Sequence, residues 1–170
     1  VALALNAQLP EDIRVMEARI VPETFHARFD AIGKQYRYFI FNHPAMDPLL
    51  RRSAWHVPQK LDLAAIREAA TYFKGKQDFA AFANNRKYEM ETTVRTVHRC
   101  EVKKAGAVIT IIIEGDGFLY KMCRGIAGTL VQVGQGKFSA TDVKKMLAAK
   151  DRKMAGMTAP AHGLVPWKGF

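Results

Sequence analysis

Cysteine is scarce in this chain: 170 residues hold two, Cys100 and Cys123. Neither has a partner at metal-ligand spacing, so they read as buried thiols of a reducing compartment, the cytoplasm, and not as a disulfide framework or a metal site. Long apolar runs are missing as well. Stretches such as "VITIII" at 108–113 are far too short to span a bilayer, so no membrane segment is expected. The opening "VALALNAQLP" has no basic leader, no cleavage site and no initiator Met, and reads as the tail of a helix begun elsewhere. Repeats, low-complexity tracts and flexible linkers are absent. Acidic residues are in deficit, 16 against 26 Lys and Arg, for a net charge of +10.

What remains is a globular composition, 49% hydrophobic and 10% aromatic, which excludes a disordered chain. The cationic excess points to a polyanionic partner, since clustered cations gain affinity by displacing counterions from phosphates. A basic protein without such a partner would carry the same number, so the residues themselves must decide.

Periodicity predicts an α+β fold, a mostly antiparallel sheet with helices packed on it. Alternation predicts strands at 13–21, at about 34–42 and, briefly, at 51–57. A helix should follow Asp62 as N-cap, with Leu63, Ile66, Ala70 and Phe73 as its inner stripe and Gly75 as its stop. Residues 94–103 and 107–115 read as a hairpin around Lys104, Ala105 and Gly106. Its second strand is apolar on both faces and so should lie centrally. Helices are expected at about 117–133 and 140–149, and a last strand at Leu164–Trp167.

Three stretches could carry chemistry. In "KQYRYFIF", from Lys34, extended geometry puts Tyr36, Tyr38 and Ile40 on one face and Arg37, Phe39 and Phe41 on the other. Lys34, Tyr36, Tyr38, Phe39 and Phe41 fit the base-stacking strand of RNA-recognition motifs, but Gln35 and Arg37 stand where small residues belong and no partner strand is found. Both tyrosines could equally be core rings. In "GDGFLYKMCRGIAGTLVQVG", 115–134, Asp116 is placed to cap a helix whose stripe is Phe118, Met122, Ile126, Thr129 and Val133. Arg124 lies roughly 200° around from Met122 at about 100° per residue, off that stripe, as a surface arginine would. Gly125 and Gly128 each weaken a helix by about 1 kcal/mol relative to Ala, a cost best understood if a backbone or a nucleic acid approaches there. In "TAPAHGLVPW", 158–167, His162 reads as a surface loop residue.

Taken in order, "LNAQLPEDIRV", "FHARFDAIGKQYRYFIFN", "DFAAFAN", "GDGFLYKMCRGIAGTLVQVG" and "TAPAHGLVPW" resemble signature blocks of the bacterial tRNA pseudouridine synthase A family, over nearly the whole chain. The match makes the RNA-recognition-motif pattern a coincidence of alternating aromatics. The resemblance implies a pseudouridine synthase-like fold and isomerisation of uridine to pseudouridine in the anticodon arm of tRNA, without cofactor or metal. It also implies a homodimer for the full-length protein. A catalytic aspartate drives cleavage of the glycosidic bond, and the freed uracil turns and rejoins the ribose through carbon. The target base must leave the stack, which requires a pocket that receives it.

By the same resemblance Tyr36 packs against the flipped base, Leu164 closes the pocket and Phe118 supports its wall. Arg124 keeps the catalytic carboxylate ionised and oriented. Lys34, Arg37 and Lys121 suit the RNA backbone, so weak electrostatic tRNA affinity is expected. One departure outweighs every substitution: the family's nucleophile sits in an R-T-D-x-G block upstream of these motifs, and this chain has none. None of its aspartates is flanked correctly, and Asp116 belongs to the helix-start block. Residues 1–170 therefore read as the C-terminal portion of the enzyme, inactive alone. A non-catalytic RNA-binding module that kept the pocket is the alternative, and a basic domain without an RNA role is a third.

Overall fold

A strand with a side-chain period of two must choose which face to bury, and this choice organises the computed structural model, which describes residues 1–27, 29–84 and 92–170. The chain forms two compact units, Val1–Ala31 and Ile32–Phe170.

In the second unit, β1 (Lys34–Phe41) pairs antiparallel with β5 (Val108–Gly115) and β6 (Leu164–Gly169), and parallel with the two-residue β2 (Trp55–His56). Beyond β5 come β4 (Val94–Ala105) and β3 (Gly75–Asp78), giving the order β2-β1-β5-β4-β3 with β6 also beside β1. The register sets Tyr36, Tyr38 and Ile40 of β1 opposite Ile113, Ile111 and Ile109 of β5. These residues, with Cys100 and Val102 of β4, turn one face of the sheet into a core shared with the helices. The other face carries Gln35, Arg37 and Phe39, opposite Glu114, Ile112 and Thr110. The separation of Arg37 from the tyrosines is thus as the alternation predicts, and β5 is central.

Asp62 caps α2 (Leu63–Thr71), its carboxylate accepting from the N–H groups of Ala64 and Ala65. Ile66, Ala69, Ala70 and Phe73 are buried. Gly75 lies past the helix end and opens β3, a strand that the polar "GKQD" does not announce. The hairpin turn sits at Gly106 and Ala107, because β4 runs on to Ala105, which pairs with Val108. α2 packs on β4 and on α3 (Met122–Gly134), and α3 packs on β1. α4 (Asp142–Ala149) lies against β3 and the short 3-10 turn Ala80–Phe82.

α3 explains its glycines. A Cβ on Gly125 would stand 2.9 Å from the Phe82 carbonyl oxygen, and one on Gly128 would run into that of Met157. Two backbones press on the helix there, so what approaches is protein main chain and not nucleic acid.

The first unit departs from the alternation. Residues 13–21 form no strand. A strand needs a neighbour to receive its N–H and C=O groups, and none pairs with this segment among the described residues. α1 (Ala2–Asn6) is tied instead to the loop through Asn6, whose amide donates to Val15 O (2.9 Å) and accepts from Val15 N–H (2.7 Å). Leu3, Met16, Ile20 and Phe29 are exposed, and no described residue of this unit is buried.

Candidate functional site

After β5 the chain does not enter a helix directly. Asp116 turns back to β4: its carboxylate accepts the Thr96 N–H (3.0 Å), and its own N–H donates to Thr96 O (3.2 Å). Burial alone would raise its carboxyl, but the hydrogen bonds from Thr96 and Gly117 hold it below the usual carboxylate range. Committed in this way, Asp116 does not cap α3, which starts at Met122 and not near 117. The helix-start residue is Lys121, at φ 62°, an uncommon backbone for a residue with a Cβ. Strain of this kind often accompanies a functional loop. Freed from the helix, Phe118 meets Tyr36 edge to face, with ring centroids 5.4 Å apart. The rest of the expected stripe, Met122, Ile126, Thr129 and Val133, is buried on α3.

Between these elements lies a hollow of about 250 Å³, lined by Tyr36, Phe118, Leu119, Lys121, Cys123 and Leu164 among others. It is below the roughly 300–1,000 Å³ of sites for drug-sized ligands and suits a small planar group. One wall depends on the loop that delivers Leu164. Arg124 Nε donates to Ala159 O (2.7 Å), and Ala159 N–H donates to Arg124 O (3.0 Å). The Tyr38 hydroxyl donates to Pro160 O (2.8 Å), and Arg152 donates to the Thr158 hydroxyl (2.9 Å). The loop is therefore fastened to β1 and α3 just before Leu164 enters β6.

The walls are electrically quiet. Burial, and secondarily Cys123, raise the Tyr36 phenol above its ordinary value, so it stays a neutral donor and acceptor. Burial pushes the Cys123 thiol upward too, and the Cys100 thiol from 9.0 up to about 12. Both cysteines are free and buried. Burial likewise raises Tyr38, with Arg124 opposing it weakly. Among the described residues no cluster of three or more His, Cys, Asp or Glu could hold a metal.

These raised groups set an alkaline limit on stability. An acid whose folded pKa exceeds its unfolded one keeps its proton in the fold while the unfolded chain loses it, so stability is intact below the unfolded value and declines above it. Melting temperature should fall as pH rises from 9 toward 12, the window that Cys100 defines. Cys100→Ala should flatten that decline while lowering the melting temperature at neutral pH through lost packing. An unchanged alkaline slope in the variant would show that the thiol does not contribute.

The residues nominated from sequence divide into three groups. Tyr36, Phe118, Lys121 and Leu164 share the hollow. Arg124 does not line it; half-buried, it stands next to Cys123 on the same side of the sheet, where its charge acts on Tyr38. Its two terminal nitrogens make no hydrogen bond to a described residue, whereas a plain surface arginine would not be anchored through Nε. Lys34 opens β1 on the tyrosine face. Arg37 is not brought to the hollow. It lies on the reverse face, with its guanidinium carbon 3.7 Å from the centroid of the Trp167 ring and its Nε donating to Gln35 (3.2 Å). Sequence reasoning missed Tyr38 as the fastener of the loop. The available signal was its phenol on a core-facing position, since a buried hydroxyl needs a partner.

The comparisons with known proteins agree with this geometry. The sequence model of the family described as tRNA pseudouridine synthase matches residues 69–169. The tRNA pseudouridine synthase A of Bacillus licheniformis is 49% identical over 165 residues, covering 97% of this chain and 66% of that protein. The tRNA pseudouridine synthase A of Bacillus subtilis is 45% identical over 167 residues (98% and 67%), and that of Methylacidiphilum infernorum 44% over 161 residues (95% and 63%). The chain thus spans about two thirds of the length of these relatives. With the hollow, the tyrosine–phenylalanine pair and the anchored arginine in place, the matches lead to one conclusion: this chain belongs to the tRNA pseudouridine synthase family.

Proposed function

We propose that this chain forms the base-receiving side of an enzyme that isomerises uridine to pseudouridine in tRNA, with the nucleophilic aspartate supplied by an N-terminal lobe. The observation that carries the reading is the hollow itself. A neutral Tyr36 ring, braced edge-on by Phe118 and closed by Leu164, offers a stacking surface that any pyrimidine can use. Beside it Arg124 is held by Nε alone, leaving its terminal N–H groups for a carboxylate. The aspartate attacks, the glycosidic bond breaks, and the uracil, kept in the hollow by stacking, turns before rejoining the ribose through carbon. Tyr36 and Leu164 hold the loose base, Arg124 keeps the aspartate ionised, and Lys121 and Lys34 face the approaching backbone.

The exposed apolar side chains of Val1–Ala31, Met16 and Ile20 among them, favour a lobe that covers them, since scattered single apolar residues are ordinary but a contiguous set marks an interface. The family resemblance carries the finer parts of the reading: the anticodon arm as the region modified, a homodimer as the assembled form and the cytoplasm as the compartment.

The test is tritium release from uracil-labelled tRNA. The 170-residue chain alone should release none, and the chain joined to an R-T-D-x-G lobe should be active. In the joined protein Tyr36→Ala should be severely impaired. Turnover by the chain alone would place the nucleophile among its own aspartates and overturn the two-lobe division. A joined protein that binds tRNA but never turns over would favour the non-catalytic RNA-binding module.

A further inference from the structure

The hollow accounts for one nucleotide, whereas the cationic excess lies mostly elsewhere. Beside β3 and α4 is a trough of about 550 Å³ lined by Tyr72, Lys74, Gln77, Asp78, Lys144 and Lys150 among others. The three lysines are exposed. Lys144 Nζ stands 4.4 Å from the centroid of the Tyr72 ring, which holds a charge at the rim without neutralising it. The carboxylates nearby are engaged. Asp78 accepts from the Thr93 hydroxyl (2.6 Å) and pairs with Lys150 (3.1 Å), which together keep it ionised below the usual range, and Glu68 accepts from the Tyr72 hydroxyl (3.0 Å). Lys74 and Lys144 form no ion pair among the described residues.

Lys150 also belongs to a second hollow of about 520 Å³, lined by Ala83, Asn84, Thr93, Asp151 and Arg152 among others. The Asp151 carboxylate there accepts the Lys153 N–H (2.9 Å). On its far side, Asn84 N–H donates to Tyr120 O (3.0 Å), and Tyr120 is part of the wall of the Tyr36 hollow. Shared residues therefore connect three depressions. Lys150 joins the first to the second, and the Asn84–Tyr120 hydrogen bond joins the second to the third.

We infer that this line, from Tyr36 past Asn84 to Lys150, Lys144 and Lys74, is the track along which an RNA phosphate backbone lies when one base occupies the hollow. The inference rests on the RNA-modifying reading and assigns a surface to its electrostatic part. Cations without carboxylate partners gain most from phosphate, because no existing ion pair must be broken and counterions are released on binding. The shallow form of both depressions suits a backbone crossing a surface rather than an enclosed small molecule.

The test is tRNA binding to the 170-residue chain by fluorescence anisotropy, from about 50 to 200 mM salt. The double variant Lys74→Glu/Lys144→Glu should bind about tenfold or more weakly at low salt, with a salt slope shallower by about two, near one for each phosphate left without its lysine. The control Lys103→Glu/Lys104→Glu, at the far end of β4, changes net charge equally and should bind much like the parent. Equal weakening in both double variants, or none in either, overturns the track while leaving the RNA reading intact. No binding by the parent chain at low salt overturns both. Because the lysines are exposed, the variants should keep the parent melting temperature; if the glutamates disturb folding, Lys74→Gln/Lys144→Gln serves the same comparison with about half the expected change in slope.

Discussion

Arg124→Ala, in the chain joined to its aspartate-bearing lobe, is expected to lower the rate of pseudouridine formation by at least about 10²–10³-fold, the usual cost of losing a preorganised donor at a charged reacting group. The side chain is half-buried and held through Nε on Ala159 O at 2.7 Å, so its remaining N–H groups are presented in a fixed direction. A cation there stabilises an ionised carboxylate, and removing it raises that carboxylate's pKa. The acid limb of the rate–pH profile should therefore move to higher pH in Arg124→Ala, which a merely structural role would not cause. Arg124→Lys keeps the charge but loses the planar fork and should recover part of the rate. A variant with a rate within a few-fold of the parent and an unmoved acid limb would remove Arg124 from the chemistry. It would leave Arg124 as the fastener of the loop that precedes Leu164.

Gly128→Ala should lower the melting temperature by roughly 6–12 °C, corresponding to about 3 kcal/mol of overpacking in a domain of this size. In an exposed helix the same change would stabilise by about 1 kcal/mol, so the sign itself is informative. Here the added Cβ runs into Met157 O and stands 2.9 Å from Met157 C and 3.0 Å from Ala159 N. The segment cannot retreat cheaply. Gly156 N–H donates to the Thr129 hydroxyl (3.1 Å), Met157 N–H to Gln132 Oε1 (2.7 Å) and Ala159 N–H to Arg124 O (3.0 Å). Gly125→Ala, with its tightest approach at 2.9 Å, should cost less. Differential scanning calorimetry of the two variants decides the matter: a Gly128→Ala protein as stable as the parent would show that Met157 and Ala159 do not press on α3.

Interactions between near neighbours could be read without coordinates. The period of two in "KQYRYFIF" separates Tyr36, Tyr38 and Ile40 from Arg37 and Phe39, and the structure keeps that separation. Asp62 as a cap, the double-sided apolarity of β5 and its central place, and the close approach at Gly125 and Gly128 are similarly local signals that the fold follows. The ordered blocks carried the family, and with it Tyr36, Phe118 and Leu164, which share one hollow.

Local signals mislead where a distant partner outweighs them. Asp116 and Phe118 sit at good helical spacing, yet Thr96, twenty residues back, takes the aspartate at 3.0 Å and holds the segment out of α3. Residues 13–21 alternate like a strand and have none to pair with among the described residues. Arg37 reads as a cation for the RNA backbone, but Trp167, at the other end of the chain, puts its ring 3.7 Å from the guanidinium on the reverse face. What the sequence by itself determined was the buried face of each element, because alternation and capping act between residues a few positions apart. Which loop is held against which, and so where Phe118, Arg124 and Arg37 point, only the tertiary structure decided, because those hydrogen bonds and ring contacts join residues that the chain brings together only on folding.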